Sequence, residues 1–266
     1  EEIQMYADQP PFGMDDKIKE LHYGKHPLAR SVLGTEDSVS ALSADQMFDY
    51  FESRYSPENI FVAAAGRVDF DALVQQIEQL CGIWDPQTTG RDLPQPQSHA
   101  EFLCVHRPSA TQQYFLQLAD APASESADRY AANLLATMFG DDSGSRMYWE
   151  FVDSGLTESA SLGHYEYLGA GMFFSWLSCD PSQSQENFAR MVALQEVAER
   201  DGFSDEELRQ AQSKVKARVV LGSERPRNRL FNVGGNWMQR REYRSVADDL
   251  ATVDNVTLAD VHRVLV

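Results

Sequence analysis

Residues 86–98 are rich in proline, glutamine and threonine and carry almost no apolar side chain. Such a stretch has neither the apolar stripe of a helix nor the alternation of a strand, and its prolines cannot donate to a ladder, so it reads as a linker. It divides the chain into two halves that must each find their own core. A chain of 266 residues buries roughly 70–75% of its unfolded surface, enough for one large or two small domains.

In the shorter half, Ile3, Tyr6 and Ala7 recur at helical spacing, and Pro10-Pro11 breaks that helix. Residues 15–23 form a second short helix before a loop through Gly24 and Pro27. Ser43-Ala-Asp-Gln46 is a capping-box pattern, after which Met47, Phe48, Tyr50 and Phe51 supply the apolar face of a helix ending near Tyr55. Residues 60–65 are a continuous apolar run of the length of a buried strand, and Asp69 caps a helix with Leu73, Val74, Ile77 and Leu80 on one side.

In the longer half, residues 101–105 and 112–118 read as strands and 125–139 as a long helix with Tyr130, Leu134, Leu135 and Met138 inward. Residues 157–167 and 170–179 make a hairpin turned at Leu168-Gly169, so Met172, Phe173, Phe174 and Trp176 belong to a buried strand rather than a ligand box. Asp180-Pro181 starts a helix to about Arg200, Ser204-Asp-Glu-Glu207 is another capping box, and further helices run to the end. The capped patterns at Ser43 and Thr257, with α and β segments alternating on both sides of the linker, point to a duplicated α+β module. The opening without a cap, and a last helix that stops on Val264, Leu265 and Val266, read as the middle of a longer polypeptide, so targeting cannot be inferred.

Charge narrows the partners. A net charge of −18 repels phosphate, which disfavours nucleic acid and anionic membranes. No apolar run approaches the ~20 residues of a membrane span, which leaves cytoplasmic or periplasmic compartments open. Cys81, Cys104 and Cys179 are far apart and odd in number, which excludes a disulfide framework and a CxxC metal knuckle, and they read as buried thiols. The arginines at 225, 227, 229, 240, 241 and 244 read as solvated helix faces, and Gly234-Gly235 lacks the strand and Lys-Ser/Thr of a phosphate loop. His22 and His26 are four apart, but Gly24 and Pro27 interrupt any helix that would make them chelate, so His26 is expected to fix the loop by hydrogen bonds to backbone.

Several blocks, in order, carry a further signal: Glu1-Glu2-Ile3-Gln-Met5-Tyr6; Gly24-Lys-His26-Pro27-Leu28-Ala-Arg30 continuing to Gly34-Thr35-Glu36; Tyr55-Ser-Pro57-Glu-Asn59 with Ala63-Ala-Ala-Gly66; Gly140-Asp-Asp-Ser-Gly-Ser145-Arg146; and Gly202-Phe-Ser-Asp-Glu-Glu207-Leu208. Together they resemble the insulinase/pitrilysin family of zinc metallopeptidases, which includes the mitochondrial processing peptidases. The resemblance implies an α+β fold of duplicated α/β repeats, with antiparallel-rich sheets flanked by helices and the first repeat incomplete. On that template residues 1–85 are the rear of the first repeat, 86–99 the linker, and 100–266 the second repeat without its final strand.

The family's zinc is held by the two histidines of His-x-x-Glu-His and a downstream Glu, and no His-x-x-Glu-His occurs among the six histidines here. Glu2 matches the downstream ligand; read without the family it is a charged helix terminus. One carboxylate cannot hold a catalytic zinc, so the chain alone is expected to be inactive. Many active relatives carry, in the second domain, an Arg and a Tyr seven residues apart that stabilise the oxyanion; here Phe151 and Glu158 stand at those positions, which fits a first domain with the pair supplied elsewhere as readily as an inactive homologue. Two functions follow from the resemblance. The chain is a segment of a zinc endopeptidase, contributing chamber wall and third metal ligand beside an extended peptide substrate and a second homologous domain or subunit; or it is a non-catalytic homologue with a structural or peptide-holding role.

Overall fold

The computed structural model describes residues 1–8, 11, 13–90 and 92–265. In chain order its elements are helices α1 (Glu2–Asp8), α2 (Met14–Tyr23), α3 (Glu36–Ser40), α4 (Ala44–Arg54) and α5 (Phe70–Cys81), strand β1 (Gln113–Asp120), helix α6 (Arg129–Gly140), strands β2 (Ser159–Tyr167) and β3 (Ala170–Cys179), and helices α7 (Ser184–Asp201), α8 (Asp205–Ser223), α9 (Pro226–Arg240), α10 (Val246–Asn255) and α11 (Leu258–Leu265). The break expected at Pro10-Pro11 falls partly outside the described residues, as does Val266. Contacts sort these elements into two compact units, one of Glu1–Leu33, Pro94–Val219 and Ser245–Val266, the other of Gly34–Leu93 and Val220–Arg244. Each unit draws residues from both sides of the 86–99 stretch, whose described residues form neither helix nor strand and are mostly exposed.

The first unit is built on an antiparallel sheet of order β1-β3-β2. The expected hairpin forms, with Tyr167 opposite Ala170 and Gly169 at φ 72°, the positive φ that a tight two-residue turn requires. The turn is held by the Glu125 carboxylate, which accepts from the Gly169 N–H at 3.1 Å. β3 lies between two partners and is nearly buried along its whole length, which is why it reads as an unbroken apolar run. Leu134, Leu135 and Met138 of α6 pack with Phe173, Leu208, Val253 and Val261, while Phe139, Met147, Phe151, Leu177, Cys179 and Met191 form a second cluster. Each fully buried large side chain contributes about 1.5–3 kcal/mol. The antiparallel sheet under helices is the α+β architecture expected from the sequence.

His164 of β2 shows how burial acts on a polar member of this sheet. Burial pushes its imidazole below the ordinary histidine value, despite its 2.9 Å hydrogen bond to the Pro122 carbonyl. At neutral pH it therefore stays uncharged and donates Nε2–H to that oxygen.

In the second unit the capping box at Ser43 forms, Ser43 Oγ accepting from Gln46 N–H at 3.2 Å and Gln46 Oε1 accepting from Ser43 N–H at 2.9 Å. Asp69 caps α5 through the Ala72 N–H at 3.0 Å. The strand expected over residues 60–65 is a correction. That segment has no ladder among the described residues, and Ile60, Phe61 and Val62 are exposed. An apolar run becomes a strand only when a neighbour supplies the ladder, and none lies alongside among the described residues. Residues 101–105 behave the same way, with Phe102, Leu103 and Val105 exposed. The thiols also differ from expectation: Cys179 is buried, whereas Cys81, at the end of α5, is half-buried and Cys104, within the uncovered run 101–105, is exposed.

Candidate functional site

The His-Pro loop that follows α2 meets the linker and the end of β1. His22 is buried and its Nε2 lies 3.2 Å from Asp120 Oδ1, while Ser98 Oγ donates to the other carboxylate oxygen. The His22 carbonyl accepts from His99 N–H at 2.9 Å. His26 uses both ring nitrogens, Nε2 toward the Pro94 carbonyl at 2.9 Å and Nδ1 accepting from Leu28 N–H at 3.2 Å, which is the loop-fixing role expected of it. Tyr23 is buried among these groups, and burial, with Asp120 and Tyr167 nearby, pushes its phenol up to about 12. The cluster fastens α2 and the linker to one carboxylate at the end of β1. It is not a nucleophilic triad, because Ser98 and His22 both bond to Asp120 and no histidine base lies on Ser98. Asp120 and Ser98 escaped the sequence reading because nothing local marks a contact across 98 residues.

Two of the blocks that carried the resemblance also meet. Arg146 Nε donates to Glu207 Oε1 at 2.6 Å, its Nη2 donates to the Gly202 carbonyl at 2.7 Å, and the guanidinium lies 4.1 Å from the centre of the Phe203 ring. Burial alone would raise the Glu207 carboxyl, but the bonds from Arg146 and Ser204 outweigh it and hold it below the usual range. At the end of α6, Asp141 is paired with Lys214 and with Arg218 at 2.8 Å, and these cations likewise overcome its burial and lower its carboxyl. The blocks act as clamps between the loops and α7–α8.

The residues singled out for chemistry lie apart. Glu2 is exposed in the first turn of α1. Among the described residues no three His, Cys, Asp or Glu side chains converge as a metal site, so this donor set does not fit a zinc centre. Phe151 lies in a π-helical turn, Tyr148–Val152, with its side chain fully buried beside Met147 and Leu177. Its carbonyl accepts from Leu156 and Thr157 N–H at 2.9 and 3.0 Å, closing the turn at Gly155. Glu158 is exposed and accepts from the Gln112 side-chain amide. Neither position presents a donor to a reacting carbonyl.

Comparison with known proteins follows the fold. An uncharacterized zinc protease of Mycobacterium leprae is 26% identical over 269 residues, covering 98% of this chain and 60% of that protein. The peptidase M16 inactive domain of Pseudomonas fluorescens superposes with a TM-score of 0.90 at 16% identity, covering 99% of this chain and 63% of that one. A chain in the structure of complex III2 from Candida albicans with Inz-5 bound gives a TM-score of 0.84 at 15% identity, covering 98% and 64%. At these identities the structures establish a shared fold. The chain spans about three fifths of the length of the curated relatives it matches. The family model described as the peptidase M16 inactive domain spans residues 41–215, well over half of the sequence, so the insulinase resemblance holds and the chain belongs to the peptidase M16 family.

Proposed function

We propose that this chain is the non-catalytic wall of an M16 zinc endopeptidase, holding an extended peptide while the histidine pair and the general base come from residues outside these 266. The observation that carries the reading is the first unit's antiparallel sheet, in which β1 and β2 each pair only with β3 among the described strands and so keep one edge for a peptide. Addition of an extended peptide to such an edge gives affinity through backbone hydrogen bonds and selectivity through side-chain pockets. In the complete protein a bound zinc supplies water activated near neutral pH. Residues 1–85 and 100–266 are then parts of two homologous repeats joined by 86–99, and a second homologous domain or subunit closes the chamber.

Within this reading Glu2 is the third metal ligand. In a polypeptide that carries His-x-x-Glu-His ahead of these residues, Glu2→Gln is expected to lower zinc content by metal analysis while the far-UV spectrum is unchanged, because an amide keeps the shape but loses the anionic charge. Glu1→Gln is expected to leave zinc in place. Loss confined to Glu1→Gln moves the ligand by one residue, and loss in neither removes the metal from this chain.

A second reading has its own support. The buried Phe151 and the exposed Glu158 suit a homologue that holds peptide or architecture without supplying oxyanion donors.

A further inference from the structure

Among the described strands β2 pairs only with β3, and the two carry different side chains on their two faces. Ala160 and Leu162 of β2, with Phe173 and Leu177 of β3, belong to the core under the helices. Alternation therefore places Ser159, Ser161, Gly163 and Tyr165 of β2, with Phe174 and Trp176 of β3, on the other face, where Ser161 stands opposite Trp176 and Gly163 opposite Phe174. Of the residues of β3 only Phe174 and Trp176 keep partial exposure, and Tyr165 beside them is 49% exposed, so this part of the face is open. Three small residues along the edge strand make a shelf, and two rings lean over it. Trp176 Nε1 donates to Ser159 Oγ at 3.0 Å, which draws the indole across β2, while Tyr114 backs the indole from β1 at 5.4 Å. The Tyr165 ring folds back over Gly163, where an added Cβ would lie 2.9 Å from its Cε2, and it meets Phe174 edge to face at 6.2 Å. Ser159 and Gly163 lie roughly 13 Å apart at ~3.3 Å per residue, so a slot between the two rings is centred on Ser161 and opens at the unpaired edge of β2.

We propose that Trp176 and Tyr165 are specificity-determining residues, and that the slot between them takes one flat, uncharged aromatic side chain of a peptide added to the β2 edge. The proposal rests on the peptide-holding reading for the presence of a peptide and adds which side chain is selected. An extended chain paired with β2 sends alternate side chains to this face, and the one opposite Ser161 enters between the rings. A flat ring there makes offset or edge-to-face contacts with both walls, which an aliphatic side chain of similar size does not. Charge sets the second half of the selection. The three strands contain no Lys or Arg and carry Asp120 and Glu166, in a chain of net charge −18, so a carboxylate is refused at the slot. Basic residues elsewhere in the peptide meet an acidic protein and are favoured.

The test titrates fluorescein-labelled peptides of one Thr-, Gln- and Lys-containing sequence, differing only at a central Phe, Leu, Ala or Glu, into the 266-residue chain and follows anisotropy. The Phe peptide is expected to bind about tenfold more tightly than the Ala peptide and more tightly than the Leu peptide, with the Glu peptide weakest. Ser161→Leu fills the slot and is expected to erase the preference for Phe while the Ala peptide keeps its affinity. Tyr165→Ser, at an exposed site, removes one wall and should lower the preference with circular dichroism and melting midpoint unchanged. Equal affinity for the Phe peptide and for the Leu or Ala peptide, or a preference that both variants leave intact, overturns the slot while the peptide-holding wall stands. Binding of none of the peptides overturns the wall and the slot together.

Discussion

Gly171→Ala is expected to destabilise the first unit by about 3–4 kcal/mol, read as a lower urea midpoint with unchanged slope. A Cβ on Gly171 would lie 2.1 Å from the Pro122 carbonyl oxygen and 2.7 Å from that of Ala121. Both are backbone atoms, so the conflict cannot be relieved by turning a side chain. The Pro122 oxygen also accepts from His164, and Ala121 N–H donates to the Gly171 carbonyl at 3.1 Å, so retreat of the 121–122 segment breaks both bonds. Because Asp120 directly precedes this segment, the clamp with His22 and Ser98 should loosen as well, which faster exchange at the His99 amide would report. Domains are stable by only about 5–15 kcal/mol, so the loss is a large fraction of the whole. A midpoint within experimental error of the parent would show that β3 and the 121–122 turn do not approach as closely as described.

Phe151→Arg, which restores the residue type of active relatives at the aligned position, is expected to unfold the first unit rather than create an oxyanion donor. Removing a buried phenylalanine costs about 3–5 kcal/mol, and an unpaired guanidinium left among Met147, Leu177 and Met191 adds a desolvation cost of its own. Phe151→Leu, which keeps the site apolar, should remain folded. Glu158→Tyr lies on the exposed surface and should shift stability by less than ~0.5 kcal/mol. A soluble Phe151→Arg protein with the parent's cooperative melt would mean that this side chain can turn outward, and would reopen a catalytic role for the position.

These two sites mark what local sequence carries and what it does not. The hairpin of β2 and β3 was legible because alternation, Gly169 and a following Asp-Pro all act within a few residues, and the caps at Ser43, Asp69, Ser204 and Thr257 are contacts of short span. The apolar runs at 60–65 and 101–105 were read as strands from the same kind of signal, yet a ladder depends on a neighbour that the run itself does not encode. Asp120, Ser98 and His22 come together through tertiary structure alone, so composition and spacing gave no warning of their cluster. Phe151 was placed by family position as a missing donor; its burial follows from the π-helical turn, which no propensity of Tyr148-Trp-Glu-Phe-Val152 announces. Two of the blocks that carry the family resemblance are clamps, Arg146 on Glu207 and Asp141 on Lys214 and Arg218, which accounts for these residue types by pairing.

Under the proposed function these 266 residues hold peptide and do not cut it. The direct measurement is to incubate the purified chain with zinc and an extended peptide carrying a fluorophore and quencher at its two ends, following anisotropy for binding and dequenching for cleavage, with and without chelator. The account predicts saturable binding that chelator does not change and no dequenching above the peptide's own background. Zinc-dependent dequenching abolished by chelator would contradict it, because no three metal-ligating side chains converge among the described residues.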